Sequence, residues 1–463
     1  VRNKTFNTLF YVLLAIVFLL PIPLGANRPW AWSFFQILIF GLSIGCAVHF
    51  RGYRHLGLGK HLKIVYVWGA FIILAGLQII PMPEFLVALI SPKAHEIQIV
   101  AGVSTFYFSL DPGQTGVSFF KLLAYFCLFI CTLLLIDGEK RIKLLLTTMV
   151  AAGTIQAIYG ALEILLGTQQ SLVFGLDVNE SATGSFVYKN HYANFLMMCL
   201  AAGIGLMVAS LQKDQMNSPK DWMRSIATAM LSSKALIRIS LAIMVIALVM
   251  SRSRMGNTAF FVAMSIVGLM ALFLVKQRSK GLTILIISMF VIDLLIVSTW
   301  FGLEKVQQRL AETSLQQESR DEVINDALPM VLDFPITGTG AGSFYSTFPA
   351  YKTTDVHAFY DQAHNDFLQM TIEYGVLSVS ILAFLVSFAF YKSARAMRHR
   401  RNSIFKGTSF ACCIVIIGML LHMMVDFPLQ AFANASYFVI FISLSMIINS
   451  LQLRRRRRVR GSR

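Results

Sequence analysis

The chain has 463 residues, 56% of them hydrophobic and only 14% charged, with a mean hydropathy of +0.66 and a net charge of +17. A soluble domain carries about a quarter charged residues, so this composition excludes an ordinary soluble enzyme. It also argues against nucleic-acid binding, because the Lys and Arg lie in short gaps between apolar spans and not on one folded face.

About twelve apolar spans follow one another, near 7–24, 29–49, 64–81, 117–136, 142–166, 190–211, 237–251, 255–275, 282–301, 373–391, 407–426 and 433–452. A crossing helix takes about 20 apolar residues, and backbone in lipid must satisfy its hydrogen bonds within the segment, so each span is read as a helix. The runs are too long and continuous for barrel strands. The expected fold is an all-α polytopic membrane protein forming a single integral membrane domain over 1–463. The first span follows Arg2 and Lys4, as in a signal peptide. However, "LLPIPLGANRPW" offers no A-x-A cleavage site, so it is read as an uncleaved helix.

With the N-terminus inside and strict alternation, thirty of the forty basic residues fall on the cytoplasmic side. Both termini are then cytoplasmic, and the basic tail 454–463 faces anionic lipid. Three outer loops are long, near 82–116, 167–189 and 302–372. The last lies between spans nine and ten and is the large periplasmic loop of this reading. Loops of that length usually carry function. The six cysteines sit within apolar spans with no C-x-x-C and read as small hydrophobes.

Cations that break the charge rule mark candidate sites. "GSFVYKNHYANFL" puts Lys189, Asn190 and His191 where a span begins on the outer side. They read either as an Asn cap with interfacial Lys and His, or as donors to sugar or phosphate. "SRSRMGNTAFF" interrupts two spans with Arg252 and Arg254. Boundary arginines usually face a partner or cavity, and their planar fork suits a diphosphate. The alternative is a tight turn whose arginines snorkel to lipid headgroups.

The long loop carries Arg320 and a presumptive helix, then "TGTGAGSF". Without G-K-[ST] this is no Walker loop, and the glycines read as tight turns or as a weak phosphate cradle. "YDQAHNDFLQMTIEYGVLSV" places Asp361, His364 and Asn365 at a span entrance. If helical, it sets His364 on the face of Asp361 and away from Asp366. A histidine beside a carboxylate can take a proton from a hydroxyl. The bland reading is a polar helix start capped by Asp361 or Asn365. In "LHMMVDFPLQAFANA", His422 and Asp426 read as an intrahelical pair or as cavity lining. Asp293 and Glu163 read as internal structural pairing. No spacing matches a metal site.

Taken in order, "PLGANRPWAWS", "FVYKNHYANFL", "SRSRMGNTAF", Arg320 with "DALPMVLDFPITGTGAGSF", "AHNDFLQMTIEYGVLSV" and "LHMMVDFPLQAFANA" resemble the O-antigen ligase / Wzy-type O-antigen polymerase family. The resemblance implies a GT-C-like, metal-independent glycosyltransferase of the bacterial inner membrane, with no cofactor and an active site facing the periplasm. It implies a glycan donor on undecaprenyl diphosphate. The implied acceptor is lipid A–core or a second lipid-linked glycan, giving ligation or polymerisation of O-antigen or exopolysaccharide. By position it implies that Arg252 or Arg254, with Arg320, binds the diphosphate and that His364 is the base or orients the acceptor. Lys189, Asn190, His191, Asn365 and Asp361 would line the site. The second arginine of "SRSR" leaves open which one meets phosphate.

Two other readings compete. A transporter or flippase of lipid-linked oligosaccharide shares the layout, but the sequence shows neither a repeat between halves nor matched broken helices. A non-catalytic envelope scaffold leaves the outer arginines and His364 without a role.

Overall fold

The computed structural model describes residues 2–51, 58–175, 177, 180–211, 233–274, 287–288, 322–353 and 360–451. They are helical, with no more than isolated β-bridges between loop segments. In chain order the helices are α1 (Arg2–Leu19), α2 (Pro29–His49), α3 (Leu62–Leu77), α4 (Glu84–Ile90), α5 (Pro92–Val100), α6 (Pro112–Leu135) and α7 (Glu139–Leu165). Then come α8 (Lys189–Leu211), α9 (Ser233–Met250) and α10 (Arg254–Leu274). A helix over 322–333, α11, precedes α12 (Asp366–His399), α13 (Ser403–Met423) and α14 (Phe432–Ser450).

Eight of these are long and apolar enough to cross a membrane, and α1, α3 and α9 are shorter apolar helices. The span expected over 282–301 lies outside the described residues, except for 287–288. Helix starts follow local chemistry. Asp111 accepts from Gln114 N at 3.0 Å to cap α6, and Asn402 accepts from Phe405 N at 3.1 Å to cap α13.

The bundle has an inner and an outer tier. α8 and α14 are almost wholly buried, with 89% and 94% of their apolar windows inside the protein, against 22% for α12. α8 pairs most closely with α13. They meet where Gly205 and Gly407 let backbone touch backbone: a Cβ on Gly205 would lie 2.6 Å from the Gly407 carbonyl. Apolar burial does not drive such contacts in lipid, so small residues and close packing do. The outer tier leaves Phe34, Ile44, Ile73 and Phe384 exposed, as a lipid-facing surface requires.

Loops collect at two ends. At one end, side chains close the helices: Arg141 reaches the Leu135 carbonyl at 2.6 Å, Lys60 the Ser450 carbonyl at 3.3 Å, and Arg400 the Asn449 carbonyl. At the other end, α4, α5, α11 and residues 334–353 form a small cap. Phe334 packs there with Val87, Ala94 and Phe108, and Val323, Ala327 and Met330 pack with Phe344 and Phe348.

This cap explains the glycines of "ITGTGAG". α12 is broken at Gly375 (φ 74°, ψ 162°), a conformation open essentially to glycine. The carbonyls freed there are taken by the loop. Thr339 N donates to Ile372 O at 2.8 Å and Gly340 N to Glu373 O at 3.1 Å; Gln78 Nε2 adds 2.8 Å to the same oxygen. Val376 N returns a bond to Pro335 O at 2.8 Å. A Cβ on Gly338 would strike the Glu373 backbone, and one on Gly375 the Ile336 carbonyl. The glycines thus serve close packing at a helix break, with irregular backbone buried in protein. The sequence reading had no broken span. Among the described residues this break has no partner in another long span.

Candidate active site

The site lies at the capped end, where α8, α10 and α12 begin and α13 ends. The "SRSR" turn is resolved by its serines. α9 ends at Met250 and α10 starts at Arg254, so three residues reverse the chain. Ser251 and Ser253 are buried and the two arginines point outward. Ser251 Oγ donates to Leu248 O at 2.6 Å, closing α9. Ser253 Oγ accepts from Gly256 N at 3.1 Å, which caps α10. Arg252 sits at φ 50°, unusual for a long side chain, and its Nη1 donates to Glu180 Oε2 at 2.6 Å on an exposed surface.

One polar chain ties this turn to two other elements. Ser253 Oγ donates to Asn190 Oδ1 at 2.7 Å, and Asn190 Nδ2 donates to Asp426 Oδ2. Asp426 lies past the end of α13, not within a helix with His422. Its carboxylate is 3.9 Å from His422 Nε2, too far for a hydrogen bond. His422 Nδ1 meets Asn194 Nδ2 at 3.1 Å, deeper in the bundle. The backbone at Asp426 also accepts from Asp366 N at 3.2 Å, joining the start of α12.

The next residue is the hub. Phe427 packs edge-on against His364 (4.9 Å between centroids), His191 (5.1 Å) and Tyr188 (5.7 Å). Its carbonyl accepts from His191 Nε2 at 3.1 Å, which sets the proton of that ring on Nε2. His364 is half-buried, lies edge-on to Tyr360 at 5.9 Å, and holds φ 50°. Strain of that kind gathers at functional positions.

Of the two readings of the stretch around His364, the capped helix start is the one observed, and the helix through His364 does not form. α12 begins at Asp366, and Asn365 caps it by accepting from Leu368 N at 3.1 Å. His364 and exposed Asp361 therefore precede the helix and share no helical face. Gln369 holds the segment instead, accepting from Ala363 N at 3.0 Å and donating to Gln362 Oε1 at 2.6 Å and Glu373 Oε1 at 3.0 Å. Asp361 lies near Tyr188: partial burial first, then this carboxylate, push the Tyr188 phenol above its ordinary value, opposed by Arg28.

The electrostatics are distinctive. Lys189 and Arg254 are the first residues of α8 and α10, and Arg252 stands just before α10. A helix N-terminus already carries about half a positive charge, so three cations are set on the positive ends of two helices. The Ser253–Asn190 bond holds those ends together. Such an end favours an anion.

Lys189, Asn190, His191, Arg252, Arg254, His364 and Asn365 thus fall at one end of the bundle. Arg320 and Asp293 lie outside the described residues. Glu163 is buried, but its contact is the Leu172 amide at 3.3 Å, not a cation. Among the described residues no group of three His, Cys, Asp or Glu is placed to hold a metal ion. Ser253 and Phe427 were not foreseen. Only the serine alternation in "SRSR" and the "DFP" following a span hinted at them.

None of the curated proteins matches the chain. Residues 239–383 match the family model described as O-antigen ligase. The match runs from α9 into the first half of α12. It covers Arg252, Arg254, Arg320, Asp361, His364 and Asn365, and stops short of Lys189–His191 and the Asp426 turn. Over that third of its length the chain is similar to the O-antigen ligase family.

Proposed function

We propose that the chain is a GT-C-like glycosyltransferase of the bacterial inner membrane. It moves a glycan from undecaprenyl diphosphate to an acceptor hydroxyl at the periplasmic face, with both termini in the cytoplasm. The acceptor is lipid A–core or a second lipid-linked glycan, in O-antigen or exopolysaccharide synthesis. The observation that carries this reading is the pair of helix N-termini bearing Lys189, Arg252 and Arg254 beside His364.

In the proposed step the acceptor oxygen attacks the anomeric carbon, and the bond from that carbon to the diphosphate oxygen breaks. The acceptor proton passes to His364. Negative charge grows on the departing undecaprenyl diphosphate, where the arginines, Arg320 included, and the helix ends stabilise it. Phe427 fixes the histidine ring, and Asn365 starts α12 directly behind it.

The test is turnover of an undecaprenyl-diphosphate-linked glycan by purified, membrane-inserted protein, with His364→Ala beside wild type. Consumption by wild type and loss in the variant is the expected result, and product size separates ligation from polymerisation. Full turnover by the variant removes His364 from the mechanism. The break at Gly375 is the kind of feature a lipid-linked oligosaccharide transporter or flippase uses. Wild type that transfers to no acceptor, yet moves the lipid between leaflets, would establish that second reading.

A further inference from the structure

A cavity of about 290 Å³ lies between α3, α6, α12, α13 and α14, and is lined by Leu429 and Gln430 at one end of the turn whose other end, Asp426, bonds Asn190. Most of its wall is apolar, including Trp68, Phe71, Met370 and Phe438. Its polar end is built from Asp366, Glu373, Lys121 and Gln430. Ionisable groups in a membrane bundle are costly and mark functional positions, and the step proposed above uses none of these.

Their hydrogen bonding defines what they accept. Glu373 has both oxygens engaged, one by Gly342 N at 2.8 Å and one by Gln369 Nε2 at 3.0 Å. The Lys121 ammonium lies 3.7 Å over the Trp32 ring. Asp366 is fully buried, and its Oδ2 takes Leu429 N at 3.0 Å. The Gln430 side chain faces the same carboxyl group, and Oδ1 meets no described donor at good hydrogen-bond geometry. A buried oxygen of this kind calls for a donor. A hydroxyl supplies one; a phosphate is an acceptor, and the cation at this end, Lys121, is turned onto the Trp32 ring.

We infer that this cavity holds the hydrocarbon chain of a saccharide-bearing acceptor lipid, with a sugar hydroxyl on Asp366. The inference rests on the transferase reading. The two ends of the 426–430 turn then divide the substrates. Lys189, Arg252 and Arg254 at the starts of α8 and α10 face the diphosphate at one, and the Asp366 and Glu373 carboxyls, with Lys121 held over Trp32, face the hydroxyl-rich lipid at the other. Asp366 is two residues from His364, and its amide is bonded to the Asp426 carbonyl. A head group seated there is therefore delivered to the histidine.

The test uses an alkyl glucoside with a diazirine in its chain, on membrane-inserted full-length protein. An alkyl phosphate with the same chain is the control. Ala435→Phe fills the cavity from α14, and Leu382→Trp narrows it from a half-buried position on α12, where a folding failure is less of a concern. The glucoside is expected to label peptides covering 366–386 and 435–442, with labelling down at least about fivefold in either variant, and the phosphate to show no such preference. In turnover, the acceptor KM should rise about tenfold while the donor KM stays within about twofold. Equal labelling by both probes, or a rise in donor KM instead, overturns the inference while the transferase reading stands. Cavity labelling by the glucoside with no transfer by wild type overturns the transferase reading and keeps the ligand class.

Discussion

The two ends of the bundle use their cations in opposite ways. At the end with Lys60, Arg141 and Arg400, each cation is aimed at carbonyls that close a helix. There the charge complements the negative end of the helix dipole and satisfies an orphan acceptor. At the other end Lys189, Arg252 and Arg254 stand on helix starts, which offer N–H groups and positive potential. Those cations add nothing to capping. The same residue types close helix C-termini at one end and stand on helix N-termini at the other.

The largest effect that would sharpen this contrast is at His364. His364→Ala should lower turnover by about 10²–10⁴-fold, the usual contribution of a positioned base, with an unchanged thermal midpoint. A midpoint drop matching the activity loss would make the residue structural. His364→Gly, which relieves the positive φ, should be as inactive as the alanine variant and no less stable.

Next is the Asn190 bridge. Asn190→Ala removes bonds to Ser253 and Asp426 at once, and should cost about 1–3 kcal/mol of stability by thermal or denaturant unfolding. It should also reduce activity, since the two helix N-termini lose their link. Normal activity in a destabilised variant would show that the link is not needed for the site.

A paired comparison tests the two ends directly. Arg400→Ala should destabilise by about 1–2 kcal/mol with little change in kcat. Arg252→Ala breaks only an exposed pair with Glu180, should cost under about 1 kcal/mol, and should raise the donor KM. The reverse pattern would break the contrast between the ends.

The smallest effect is invisible at neutral pH. His61, buried at the start of α3 with its Nε2 3.1 Å from Ser450 Oγ, is pushed down to about 4 by burial and then by nearby Lys392 and Lys60. Its folded form is held neutral, so its contribution is complete above about pH 6.5 and is lost as pH falls from there toward 4. His61→Gln should flatten that part of a stability–pH curve.

Much of the architecture was legible in the residues. Long apolar runs demand helices in lipid, whatever their neighbours. Eleven of the anticipated spans have a helix at their position among the described residues. The candidate site was legible as types and places: Lys189, Arg252, Arg254 and His364 stood out because cations and a histidine at an outer boundary go against the charge rule. The sequence could not tell whether His364 lay on a helix. That depended on Asn365 capping α12 and on Phe427 packing against the ring, a contact across 63 positions. Nor could it assign the glycines of "ITGTGAG", whose task is to replace hydrogen bonds at a break in another helix. Local composition determines where a segment lies relative to the membrane, because transfer free energy adds up residue by residue. Which side chains meet depends on how separate helices pack, and only the tertiary structure decided that Asn190, Ser253, Asp426 and Phe427 would hold the site together.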